Sequence, residues 1–470
     1  MTENNSNSLT GAASISPVEK NRTNVKTPMF VRSKDRCHIM TRTPVYNKSG
    51  SVLTYNFRYT AGEESFRPDE VQKKHVKHII IGFYVRRHLE QFSFENAFGM
   101  TSLPLTQDIT KFSKPLPANR FFLHLQEKQE ATPTFQHQVN QLRREAMTIA
   151  ADVYTIVYTN WYKEIYTISY AVIDMSKDIE EQFFLAKNIV KKYPNIKIIC
   201  DRCDNVNKAQ IAFEAGADYV CCPTFPKEVL KQNFNSLYFK NNREDYEQIS
   251  AILSELLQPR PNYQLFLDFL NRNKEYNSLA IMLLDFLNVG IENDSFFIDM
   301  ETSLYDLDPE ILHRLICIIM MIKFELFFKK PVDKDKYIKF EPIRQVLLRA
   351  KFVDELVTSK LQTLDVTYAF TIGLCSNIEL LYSYTTNNIN SYIESMDARL
   401  GAIYAEQPDF SMIMNVVASM ECLDLEYVDG IMASEFLTRH EILFAYENAL
   451  MWLASLESFI NQKKYQLMIK

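Results

Sequence analysis

Glycine is scarce, 10 residues among 470. Phosphate cradles need glycine where backbone approaches an anion closely, and no G-x-G-x-x-G, G-x-x-x-x-G-K or G-x-S-x-G occurs in the chain. The signatures of P-loop NTPases, Rossmann dehydrogenases and α/β-hydrolases are therefore missing. Histidine is also sparse at 8, with no H-E-x-x-H and no His-Asp dipeptide, which removes the zincin and HD-type metal hydrolase signatures. Basic charge is not in excess: Lys+Arg 52 against Asp+Glu 58 gives −6, unlike a protein that coats nucleic acid. Eight cysteines, with no apolar leader segment in residues 1–28, suggest free thiols and a cytoplasmic setting. Long hydrophobic runs are absent too. The greasiest stretch, 311–328, carries His313, Arg314, Lys323 and Glu325 and reads as a buried helix.

A chain of 55.0 kDa with 47% apolar and 23% charged residues is ordinary globular material, enough for two to three domains. Three textures divide it. Residues 1–33 are Asn/Ser/Thr-rich and read as a flexible polar tail, with too little apolar surface to offset ordering entropy. Residues 34–229 alternate strand-like runs (51–59, 120–125, 153–158, 170–173, 196–200, 219–222) with amphipathic helical stretches such as 178–192 and 207–215. That alternation predicts β/α units and a mostly parallel sheet or barrel. Residues 230–470 lose the strand signal. Ile249, Ile252, Leu253 and Leu256, then Ile343, Val346, Leu347 and Ala350, then Leu443, Tyr446, Leu450 and Leu453 recur at helical spacing. The fold class expected is α/β followed by all-α.

The run C-H-I-M-T-R-T-P-V-Y-N-K-S-G-S-V-L-T-Y-N-F-R-Y-T at 37–60 is similar to the opening of bacterial two-domain proteins that join an EAL-type barrel to a C-terminal HDOD helical domain. L-P-A-N-R-F-F-L at 116–123 resembles the lead into another barrel strand, and 196–222 the family's strand–helix–strand around A-E-x-V-E. In the helical half, V-L-L-R-A-K-F at 346–352 and A-F-T-I-G-L-C-S-N-I-E-L-L at 369–381 resemble the HDOD tail. The resemblance implies a TIM-type EAL-like barrel over 34–229 and a helical HDOD-like domain over 230–470. Residues 34–229 are fewer than the ~250 of an ordinary (β/α)₈ barrel, so a shortened barrel with trimmed units is expected.

EAL phosphodiesterases, as the resemblance implies, hydrolyse cyclic di-GMP with two divalent metals at the carboxyl mouth of the barrel. Two such cations about 4 Å apart need several carboxylate oxygens. The family's leading Glu falls on Asn56, and its phosphate-holding Arg on Thr60. Arg58 stands two residues earlier, on the same strand face but ~7 Å away. The metal-binding Asn falls on Gly99 and the next Glu on His124, with Glu127 shortly after. The paired aspartates fall near Tyr158 and Thr159, the Lys of K-x-D on Val172, and the Gln of Q-G on Cys221. Asp174 is kept, and Asp201 and Asp204 stand in for two glutamates. The resemblance thus implies a barrel stripped of its metal site, with no catalytic residues and no cofactor. Asp174, Asp201, Asp204, Glu127 and Arg58 are the candidate ligand-binding remnants. Carboxylates at strand ends also ordinarily cap loops and helix N-termini.

Three other features have bland counterparts. Cys200, Cys203, Cys221 and Cys222 have metal-like spacing, yet neighbouring residues on a strand face opposite ways, and cysteine in an apolar run behaves as a small hydrophobe. The basic stretch 73–88 suits an acidic or phosphate partner, or simply a solvated helix face. Asn288, in L-N-V, resembles a family Asn that caps or bridges helices. The function expected is a non-catalytic bacterial signalling protein in a cyclic di-GMP-type network (motility, pili, surface attachment or biofilm), acting by protein–protein interaction. Other signalling proteins would dock on the helical half, including 343–357 and 369–382, with nucleic acid and membrane insertion not expected. The alternative is a sensor that binds cyclic di-GMP or another nucleotide without cleaving it and relays occupancy to the helical domain.

Overall fold

The computed structural model describes residues 38–48, 50–61, 99–102, 121–125, 130–223, 243–273, 275–287, 306–328, 341–360, 368–382, 390–422 and 437–468. The tail 1–33, Glu127, the stretch 73–88 and Asn288 lie outside the described residues, as does the side chain of Arg58.

Strands β1 (His38–Asn47) and β2 (Val52–Ala61) form an antiparallel hairpin. Asn47 ties its turn. The Asn47 N–H donates to the Ser51 carbonyl at 3.0 Å, and its Oδ1 accepts from the Ser51 N–H at 2.9 Å. Gly50 occupies φ 79°, a region that glycine enters without a Cβ penalty. There follow β3 (Gly99–Ser102), β4 (Phe121–Leu125), β5 (Thr148–Asp152), β6 (Tyr170–Asp174), β7 (Lys197–Asp201) and β8 (Tyr219–Cys221). Each pairs in parallel with the one before it, and β8 closes antiparallel onto β1. The result is a closed barrel in chain order, with β1 reversed against both neighbours. The expected trimming of strand units is not found. Among the described residues eight strands close the barrel, and the economy lies in short elements, β8 having only 3 residues.

Strand periodicity sets the barrel's interior, because alternate residues face the same side. Val45, Met100, Phe122, Ala150, Val172, Ile199 and Cys221 form one buried apolar cluster contributed by seven strands. Tyr170 and Tyr219, at the starts of β6 and β8, pack against it, with Phe122 and Tyr170 stacked at 5.3 Å. The amino end of the barrel is thus filled with apolar and aromatic side chains. Two residues further along, β3 to β7 carry Ser102, His124, Asp152, Asp174 and Asp201 at or next to their carboxyl ends.

Outside the barrel lie α1 (Pro133–Arg144), α2 (Val153–Tyr158), a 3₁₀ segment (Asn160–Thr167), α3 (Ile179–Lys192) and α4 (Val206–Ala215). Helix α3 shows why such stretches are helical. Asp178 caps it by accepting from the Glu181 N–H at 3.1 Å, and acids lead its first turn while Lys191 and Lys192 close the last. The strand expected at 153–158 is instead helix α2, and the strand is Thr148–Asp152. V-Y-T-I-V-Y has high β-propensity, but tertiary packing overrides it. Val153 and Ile156, three apart, are buried, while the Tyr154 and Tyr158 hydroxyls donate to Glu181 at 2.7 and 2.8 Å.

The second half is helical: α5 (Arg243–Leu256), α6 (Gln264–Arg272), α7 (Glu275–Phe286), α8 (Pro309–Phe328), α9 (Glu341–Lys360), α10 (Ala369–Cys375), α11 (Glu379–Tyr382), α12 (Asn390–Glu406), α13 (Pro408–Cys422) and α14 (Arg439–Met468). Among the described residues no helix is long and apolar enough to cross a membrane. Helix α9 lies at the centre. Its Arg349 binds Glu421 of α13, with Nε 2.9 Å from Oε1, and its buried Asp354 accepts from Arg314 of α8 at 2.7 Å. Gly373 of α10 permits a close crossing, since a Cβ there would meet Ala350 Cα and Val353 Cβ at 2.9 Å each. The stretches expected to take part in docking, 343–357 and 369–382, are largely packed inside the helical half. These helices carry the inter-helix core, and Val346, Ala350, Val353, Leu356 and all of α10 are buried.

Candidate functional site

The site is built by strand ends. Each parallel strand points its carboxyl end to one mouth, the position where barrel sites form. On β2, Asn56 faces inward, and its Nδ2 donates to Asp201 Oδ1 at 3.0 Å and lies 3.7 Å from Cys221 Sγ. Asp201 Oδ1 also accepts from the Arg202 N–H at 2.9 Å. Arg202 sits at φ 58°, a left-handed conformation that is strained for a residue with a Cβ. That turn sends its guanidinium back over the mouth, Nη1 3.4 Å from Asp174 Oδ2. Lys177 Nζ is 3.6 Å from the same oxygen, and Asp174 Oδ1 accepts from the N–H and hydroxyl of Ser176 at 3.0 and 2.6 Å.

His124, buried at the end of β4, joins two strands. Its Nδ1 is 2.9 Å from Ser102 Oγ and its Nε2 2.7 Å from Asp152 Oδ1. Burial by itself pulls the imidazole pKa down. The charge and hydrogen bond of Asp152 and the charge of Asp201 outweigh burial against the opposing Arg202, and the pKa ends above its ordinary value.

Of the five expected remnants, Asp174 and Asp201 reach the mouth, as direct register partners on β6 and β7. Asp204 does not. It is exposed and pairs with Lys208, four residues on, at 2.8 Å, because β7 has already ended and the chain is entering α4. Glu127 and the Arg58 side chain lie outside the described residues. Gly99 begins β3 opposite Tyr55 and Phe121, so the mouth position of that strand belongs to Ser102 instead. The strand end expected near Tyr158 and Thr159 is Asp152, since those two residues lie beyond β5, at the end of α2. Ser102, Asp152, Lys177 and Arg202 are the residues that sequence reasoning missed. The usable signal was T-I-A-A-D, a short small-residue strand ending in an acid just before a helix.

The cysteines are brought together as neighbouring wall strands. The Cys203 N–H donates to the Cys221 carbonyl at 3.2 Å, and Cys200, Cys203, Cys221 and Cys222 are all buried and free of disulfides. Burial pushes the Cys200 and Cys203 thiols up, so they remain protonated small hydrophobes. Among the described residues no group of three or more His, Cys, Asp or Glu is arranged to hold a metal ion.

No family model matches the chain, and no curated protein matches it. Solved EAL structures are similar to part of it. One is a standalone versatile EAL protein from Vibrio cholerae O395 in its c-di-GMP bound form, 11% identical, covering 41% of this chain and 92% of its own, TM-score 0.32. Another is the Bacillus subtilis YkuI protein, with an EAL domain, in complex with substrate c-di-GMP and calcium, 12% identical over 51% of this chain and 72% of its own, TM-score 0.33. The chain spans 60% of the length of the EAL enzyme Bd1971, 12% identical over 39% of this chain, TM-score 0.32. The barrel architecture rests on the strand order and register above and not on these likenesses.

Proposed function

We propose that the chain is a signalling protein of EAL–HDOD type that does not hydrolyse cyclic dinucleotides by two-metal chemistry and works as a protein-interaction platform. One observation supports this reading above others: the mouth carboxylates already bind the protein's own donors. Asp201 accepts from Asn56 and the Arg202 backbone, Asp174 from Ser176 beside Arg202 and Lys177, and Asp152 faces His124. A dication placed there would displace those donors and sit beside the Arg202 guanidinium. At about 4 Å and an effective dielectric near 20, that repulsion is ~4 kcal/mol for each unit of charge. The polar groups hold the barrel mouth together instead of holding ions.

With α9 and α10 buried, recognition falls to outer helices of the second half. Helix α12 exposes Glu394 and Asp397, three apart on one face, an acidic pair suited to a basic partner surface. The test has two arms. Turnover of cyclic di-GMP with Mg²⁺ or Mn²⁺ is expected to be undetectable, and turnover abolished by Asp174→Ala overturns the reading. Crosslinked partners of the full chain are expected to be lost on Glu394→Lys/Asp397→Lys. Saturating calorimetric heat with cyclic di-GMP and no partner would favour a sensor instead.

A further inference from the structure

Three consecutive parallel strands carry, at or next to their carboxyl ends, a serine, a histidine and an aspartate that are hydrogen-bonded in that order. Ser102 closes β3, His124 lies one residue from the end of β4, and Asp152 closes β5. Ser102 and His124 are direct register partners, which brings hydroxyl and imidazole together without any loop. The two contacts, Ser102 Oγ to His124 Nδ1 at 2.9 Å and His124 Nε2 to Asp152 Oδ1 at 2.7 Å, use both ring nitrogens. With the Nε2 proton directed at the carboxylate, the Nδ1 lone pair is left to accept the serine proton. That is the relation of nucleophile, base and orienting acid that hydrolytic sites require, and it is recognised by geometry and not by chain order. Rigid strand ends hold such a constellation more tightly than loops do.

We propose that Ser102 is a metal-independent nucleophile, with His124 as its general base and Asp152 as the positioning residue, acting on a carboxylic ester at the barrel mouth. The charge around the cluster selects the substrate class. Asp152, Asp174 and Asp201 share this mouth, and Arg202 and Lys177 lean on Asp174, so among the described residues the acids outnumber the cations and none of that charge is set to draw in a phosphodiester. An uncharged acyl group needs none. Ser102 Oγ attacks the acyl carbon as its proton passes to His124 Nδ1. The ester C–O bond breaks, and the alcohol leaves with that proton. Water then attacks the acyl-serine and gives its proton to His124. The acid departs and Ser102 recovers its hydrogen, so that ester and water become acid and alcohol. This chemistry is separate from the platform reading, because a lost two-metal site leaves a metal-free serine untouched.

The test uses the purified full-length chain in EDTA with two probes, a fluorophosphonate and p-nitrophenyl acetate. Wild type is expected to be labelled at Ser102, located by peptide mass mapping, and to hydrolyse the ester. Ser102→Ala should lose both while keeping the wild-type melting temperature. His124→Gln should slow labelling by about 10²-fold or more, the usual contribution of a general base. Asp152→Asn should shift the pH–rate profile, a response that a purely structural role would not produce. Neither probe reacting with wild type, or equal reaction of wild type and Ser102→Ala, overturns the proposal.

Discussion

Tyr55 and Glu341, 286 residues apart in the chain, meet through a 2.7 Å hydrogen bond between two buried side chains. Arg344 Nη1 reaches the same carboxylate at 3.1 Å, Arg42 lies 3.9 Å from its other oxygen and 4.3 Å over the Tyr55 ring, and Arg344 also binds Glu457 of α14. Beside them Gln345 donates to the Tyr46 hydroxyl at 2.9 Å. The outer face of β1 and β2 is therefore locked to α9 by a buried ionic network. On a strand, neighbours face opposite ways. Tyr55 looks out to the helices while Asn56 looks in to the mouth.

Removing the carboxylate takes a shared buried anion from Arg42 and Arg344, Arg344 keeping Glu457, and takes the acceptor from the Tyr55 hydroxyl. Glu341→Ala is expected to destabilise the chain by about 3–5 kcal/mol, whereas Tyr55→Phe, which loses one hydrogen bond, should cost about 1–3 kcal/mol. Urea unfolding read by fluorescence checks this. The two tryptophans, Trp161 beside the barrel and Trp452 on α14, report on the two halves separately.

Two glycine substitutions should act in opposite directions. Gly373→Ala forces a methyl into contact with Ala350 and Val353 and is expected to cost about 1–3 kcal/mol. Gly401 lies in α12 with nothing within 4 Å of an added Cβ, so Gly401→Ala should stabilise by about 0.4–1 kcal/mol. Thermal melts of the two variants decide it.

The raised pKa of His124 carries a sign for stability. Its ion pair with Asp152 contributes fully below the unfolded-state value of 6.5 and is lost as pH rises through the higher folded value. Melting temperatures measured from pH 6 upward should fall across that window in wild type, and the slope should flatten in His124→Gln.

Asn56→Asp sets a second carboxylate at hydrogen-bond distance from Asp201. One of the two pKa values must rise, since like charges this close do not both ionise freely. The variant is expected to lose about 2–4 kcal/mol at neutral pH, the scale of such a repulsion at intermediate dielectric. Stability should return as pH falls below the raised value. Melts of wild type and variant between pH 4 and 8 are the check, and equal curves refute it.

Much of this was legible in sequence, and the exceptions have physical causes. Strands β6 and β7 and helices α3 and α4 match their hydrophobic runs and cap residues to within one or two positions, because local patterning and capping agree there. Residues 153–158 read as a strand because V-Y-T-I-V-Y favours one locally, and only the burial of Val153 and Ile156 against the barrel makes the segment a helix. That error moved the end of β5 by six residues and hid Asp152. The buried standing of α9 and α10 was also hidden, since a helix periodic in apolar residues reads alike whether its polar side meets water or Glu421, Arg314 and Ser376.

From its residues alone, this protein was bound to form alternating strands and helices, then a helical second half, and to end two strands on Asp174 and Asp201. Periodicity of two and of 3.6 sets which side of an element is apolar, and a short run of chain is enough to write it. Which polar groups meet was decided in three dimensions. Strand register put His124 between Ser102 and Asp152, barrel closure put Asn56 against Asp201, and packing of α9 on the β1–β2 wall put Glu341 against Tyr55. Those pairings depend on neighbours remote in sequence, and no local pattern encodes the distance between them.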